Sequence, residues 1–118
     1  MPGMQTSAGL LSSLGGEFLM KLSEKIKYQK GAIVSQEIAR KETGTVTVFA
    51  FDKGQGLSEH TAPFDAIVYI LDGEAVINVE GKPSTVKSGE LFIMPANKPH
   101  SVSAAVPFKM MLIMIRSS

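Results

Sequence analysis

Gly89-Glu90-Leu91-Phe92-Ile93-Met94-Pro95-Ala96-Asn97-Lys98-Pro99-His100 holds a short apolar run, a loop marked by two prolines and an asparagine, and a histidine at the head of the next apolar run. Read as Leu91–Met94, a turn, and His100–Ala104, it is strand, tight connection, strand. The same texture extends in both directions from about Ile26. Upstream lie the candidate strands Ile33–Ala39, Thr45–Phe51, Leu57–His60, Ala66–Leu71, Glu74–Val79 and Ser84–Val86; downstream lies Phe108–Ile115. Asp72-Gly73 and Glu80-Gly81 fall between strands, where a hairpin needs positive φ. Many short strands at near-regular spacing, with no long helical pattern between them, predict an all-β sandwich or closed barrel.

Composition bounds the rest. A chain of 118 residues with 44% hydrophobic residues supports one domain with a generous core. The net charge of +1 and the interspersed signs give no footprint for nucleic acid or an anionic membrane. Without cysteine there is no disulfide, thiolate nucleophile or Cys-based metal site. No apolar run approaches the roughly 20 residues that span a bilayer, and Met1-Pro2-Gly3-Met4-Gln5 lacks a basic signal-peptide start. The expected location is cytoplasmic. Residues 1–19 read as a flexible extension or an expression remnant, and 20–118 as the barrel domain. Glu17 to Lys25 could form a short helix, with Phe18, Leu19, Leu22 and Ile26 at helical spacing.

The final run is apolar on both faces of a period-two reading. It is either a strand buried on both sides or part of a homodimer interface in which methionines supply adaptable contact.

The chemistry must come from few residues, and the only two histidines are His60 and His100. Gly54, His60, Pro63 and Gly73 form one spaced set, and Gly89, Pro95, Asn97 and His100 form a second. In these two sets the chain resembles the cupin superfamily, whose motifs are G-x5-H-x-H-x3-E-x6-G and G-x5-P-x-G-x2-H-x3-N. Asn97 replaces the middle glycine of the second motif, a tolerable change because Asn accepts positive φ. Ala104 stands at its trailing Asn. The resemblance covers roughly residues 40 to 115. It implies a single cupin barrel, a double-stranded β-helix or jelly roll of two facing antiparallel sheets, with a short N-terminal helical or flexible extension.

The resemblance also implies a metal site at the positions of His60, Ala62, Ala66 and His100. Alanine cannot ligate, so a divalent transition metal held by His60 and His100 would be weak unless a carboxylate joined them. Asp65 could turn inward at a bulge near Pro63, and Glu59 precedes His60; otherwise Asp65 caps a turn and Glu59 faces solvent. Without metal, His60 and His100, aided by Asp65 or Tyr69, could act as an acid/base pair, although Tyr69 also suits plain packing. The remaining lining would be apolar, from Phe49, Phe51, Phe92, Met94 and the C-terminal strand, and would suit a small, partly apolar ligand.

Two functions stay open. One is a binding module that holds a small molecule, or loosely a metal. The other is a cupin enzyme: a metal-dependent dioxygenase or isomerase, or a metal-free acid/base catalyst. No phosphate-binding loop or nucleophile elbow occurs.

Overall fold

The computed structural model describes residues 19–116. All nine expected strands form: β1 Ile33–Lys41, β2 Gly44–Phe51, β3 Gly56–His60, β4 Phe64–Asp72, β5 Glu74–Val79, β6 Lys82–Lys87, β7 Leu91–Met94, β8 His100–Ser103 and β9 Phe108–Arg116. They make two antiparallel sheets, one ordered β1-β2-β9-β4-β7 and the other β3-β8-β5-β6. Glu80 and Gly81 both carry positive φ, 52° and 79°, and join β5 to β6 in the two-residue turn that suits strand twist. At the Asp72-Gly73 turn only Gly73 takes positive φ, while Asp72 stays in β4. A side chain at Gly73 would collide with the carbonyl oxygen of Pro107.

Strand alternation divides the five-stranded sheet into two faces. Phe51, Val68, Ile70, Phe108 and Met110 point inward and meet Ala75, Ile77, Val86 and Val102 of the other sheet in one core. Phe51 and Phe108, neighbours in register, stack with centroids 4.5 Å apart and close one end of the barrel.

On the outer face, Val48 and Ala50 are covered by the segment that carries Leu22, Ile26 and Tyr28. The Tyr28 hydroxyl donates to Asp72 at 2.5 Å, and Lys109 lies over the Tyr28 ring while donating to the Ser23 carbonyl. The expected helix shrinks to α1, Leu22–Lys25. Lys21 supplies no side-chain cap, and Ile26 is extended because its side chain packs onto the sheet. Residues 1–18, with most of the expected extension, lie outside the described residues.

The last strand is buried on both faces over its first part. β9 is central: its inner side chains enter the core, and Met111 lies under the N-terminal segment. Further along the outer face, Ala39, Val46, Ile113, Ile67 and Ile93 align in one cross-strand row that spans all five strands. Among the described residues no helix is long and apolar enough to cross a membrane.

Candidate functional site

At the end of the barrel opposite the Phe51–Phe108 stack, β3 pairs with β8 and sets His60 directly across from His100. The register slips by one residue between Leu57 and His60. Without that bulge, Glu59 would occupy the position opposite His100; with it, His60 turns inward beside Leu57. The imidazole centroids lie 4.4 Å apart at 66°. His100 is 6% exposed, whereas His60 stands at the rim.

Each ring is oriented by the carbonyl two residues before it. His60 Nδ1 bonds Ser58 O at 2.8 Å, and His100 Nδ1 bonds Lys98 O at 3.0 Å. A carbonyl only accepts, so Nδ1 carries the proton in both neutral rings and Nε2 is the unprotonated atom.

The two imidazoles share a cavity of about 50 Å³, enough for a small group rather than a whole drug-sized molecule. Its walls are otherwise apolar. His60, Ala62, Phe64 and Ala66 line it at alternate positions, and Met94 and Met114 are among the remaining walls. The four positions of the family ligand set thus meet at one cavity, with alanine at two of them.

The loop that delivers His100 is tied across the site. Asn97 adopts φ 64°, as the turn requires, and its N–H donates to Ala62 O at 2.8 Å. Ala96 N–H donates to Asp65 Oδ1 at 3.0 Å.

This last bond corrects the expectation for Asp65. The nearby bulge lies in β3, not at Pro63, so β4 alternates regularly from Phe64 to Ile70 and Asp65 stays on the exposed outer face. It caps the loop before His100 instead of reaching into the cavity. Glu59 is also exposed and does not line the cavity. Among the described residues no three His, Cys, Asp or Glu side chains cluster as a metal site needs. Two imidazoles beside Ala62 and Ala66 do not fit a closed transition-metal centre.

The apolar expectations divide. Met94 and the C-terminal strand line the cavity, through Met110, Leu112 and Met114. Phe49, Phe51 and Phe92 face inward but pack in the core, beyond the cavity walls. Tyr69 is on the outer face near Leu22, because β4 sends Phe64, Ala66, Val68 and Ile70 inward. Leu57, Phe64 and Val102 are lining residues the sequence reading missed. Alternation counted outward from His60 and His100 was the available signal for Phe64 and Val102.

Comparisons with known proteins agree with this architecture. The cupin domain profile matches residues 47–116. No curated protein matches the chain. Among solved structures, a conserved protein of unknown function from Streptococcus pyogenes is 30% identical with a TM-score of 0.81, over 85% of this chain and 88% of that one. A cupin 2 conserved barrel domain protein from Leptotrichia buccalis is 44% identical with a TM-score of 0.80, over 82% of this chain but only 47% of that one. A cupin superfamily protein from Desulfitobacterium hafniense is 26% identical with a TM-score of 0.81, over 86% and 93% of the two chains.

Proposed function

The chain belongs to the cupin family, and from that premise we propose that it is a small-molecule-binding cupin whose ligand places one end between His60 and His100. The observation that carries this reading is the cavity itself, apolar on its walls and polar only at the imidazole pair. Apolar walls favour a desolvated ligand group, and two Nε2 acceptors give it a direction. Each Nε2 can accept an O–H or N–H from the ligand, and a protonated ring can donate.

The reading is tested by ligand-observed NMR with small alcohols, amides and carboxylic acids on the full chain and on Ala66→Leu, which fills the cavity. Compounds that bind the wild type should lose binding in Ala66→Leu and weaken in His100→Gln. Equal binding to all three proteins would overturn it.

A second reading, metal-free acid/base catalysis, is favoured by one feature. Both rings are held by backbone carbonyls in the tautomer that leaves Nε2 able to take a proton. Deuterium incorporation from solvent next to the carbonyl of a bound ketone would mark a catalyst. Binding without exchange would mark a binder.

We further propose that a second copy covers the outer row of Ala39, Val46, Ile113, Ile67 and Ile93. The chain's own N-terminal segment occupies the neighbouring part of that face, and a row perpendicular to the strands can pair with itself about a two-fold axis. Ile113→Lys should then shift the protein to monomer in light scattering. An unchanged mass would refute this assignment.

A further inference from the structure

Beyond the histidine cavity the inner face of the five-stranded sheet continues into a second, larger space of about 390 Å³. Phe64 and Met114 belong to the walls of both. The two spaces therefore adjoin at Phe64 and Met114, and the larger, more solvent-open one is termed the mouth. Its chemistry differs from that of the cavity. Thr45 and Thr47 present hydroxyls, and Arg40, Lys41 and Arg116 bring cationic side chains, with Glu37 and Glu42 on the same wall.

The placement of the two arginines follows from register. In β9 the inward series runs Phe108, Met110, Leu112, Met114 and then Arg116, which pairs with inward-facing Phe64. A run of apolar inward residues thus ends on a guanidinium at the mouth. In β1 the register slips between Glu37 and Ala39. Regular alternation from Glu37 would turn Ala39 inward; the bulge sets Arg40 there instead, opposite Thr45. The device that aims His60 in one sheet aims Arg40 in the other.

Arg40, Thr45, Met114, Ala66 and Met94 then form one continuous cross-strand row. At about 4.8 Å per strand, Arg40 and Ala66 are roughly 14 Å apart along it.

Charge separates the mouth further. Glu37 already holds Arg40, with Nη2 at 2.7 Å and Nε at 3.0 Å from both carboxylate oxygens. Arg40 is fixed but largely neutralised. Arg116 makes only a 3.5 Å bond to the Glu42 carbonyl, and neither it nor Lys41 forms an ion pair among the described residues. The wall carries three cations against two carboxylates.

From this we propose that the ligand is a small amphipathic anion. Its carboxylate or phosphate head sits at Arg116 and Lys41 beside Thr45 and Thr47, and its short apolar end passes Phe64 and Met114 toward the histidines. This rests on the binding reading above and names the class of ligand that the site selects. The anion gains charge-assisted hydrogen bonds at the mouth, and its tail gains burial in the cavity.

The test titrates the full chain, with 15N-labelled histidine, with butanoate through octanoate, the matched primary amides and hexyl phosphate. Affinity and the ring-nitrogen shifts of His60 and His100 are followed together. The carboxylates or the phosphate should bind more tightly than the amides by roughly three- to ten-fold, the range expected for partly exposed charge contacts. Arg116→Gln and Lys41→Gln, both at exposed positions, should remove that advantage by weakening the anions more than the amides. Which head group is preferred separates carboxylate from phosphate. Equal affinity for anion and amide, with the histidine signals still shifting, would overturn the anionic assignment and leave the binding reading standing. Failure of every compound to shift the histidines would overturn both.

Discussion

The two ends of this barrel are built from the same strands by the same alternation, yet they do opposite things. At the closed end, inward positions carry Phe51, Phe108, Ile70 and Ile77, all fully buried, and the two aromatic rings stack on each other. Tyr28, Asp72 and Lys109 fasten the N-terminal segment over that end. At the open end, inward positions carry Ala62, Ala66 and two histidines, and a cavity remains. Side-chain volume at inward positions, not backbone topology, separates the structural end from the site. Alanine at two family ligand positions removes metal donors and creates room at once.

Substitutions at the two ends should therefore differ most in stability. Phe108→Ala should cost roughly 3–5 kcal/mol in urea denaturation, as large aromatic truncations in packed cores do. His60→Ala, at the rim, should stay within about 1 kcal/mol. Comparable losses would break the division.

The next effect concerns donors. Ala62→His combined with Ala66→Glu should restore a four-ligand set and raise zinc affinity on the order of ten-fold or more over wild type, measured by calorimetry. No gain would show that the alanines are not the missing donors.

A smaller effect separates a tie from a ligand. Asp65→Ala should cost about 1 kcal/mol and speed exchange of the Ala96 amide hydrogen. It should leave zinc affinity unaltered; a drop would return Asp65 to the metal reading.

The smallest effect is at the closed end's clasp. Burial, then the hydrogen bond to Asp72 and its negative charge, raise the Tyr28 phenol above its ordinary value. The folded chain holds that proton after the unfolded chain has begun to release it near pH 10, so stability falls as pH rises through that range. Tyr28→Phe should show a shallower decline between about pH 9 and about pH 11. Parallel curves would remove Tyr28 from the account.

The strands were legible because alternation and turn residues mark them: Glu80-Gly81 and Asn97 take the positive φ their types suggested. The histidine pair was legible from motif spacing. The bulges were not. Neither Ser58-Glu59 nor Ile38 carries a glycine or any other local mark, because each slip is fixed by the partner strand. That hid why Glu59 and Asp65 stay outside, and hid Arg40 at the mouth. The placement of Tyr69 was avoidable, since parity from Ala66 already sends it outward. Phe49 and Phe51 had the right parity but the wrong end, which depends on sheet pairing rather than on local sequence.

The central claim is that His60 and His100 present two unprotonated Nε2 atoms to one shared cavity. A long-range proton–nitrogen NMR spectrum of metal-free protein with 15N-labelled histidine, at a pH where both rings are neutral, tests it directly. The account predicts the Nδ1–H tautomer for both rings, and broadening or shifts of both Nε2 signals when a bound small molecule enters. Nε2–H tautomers, or one ring that ignores every ligand the other detects, would contradict it.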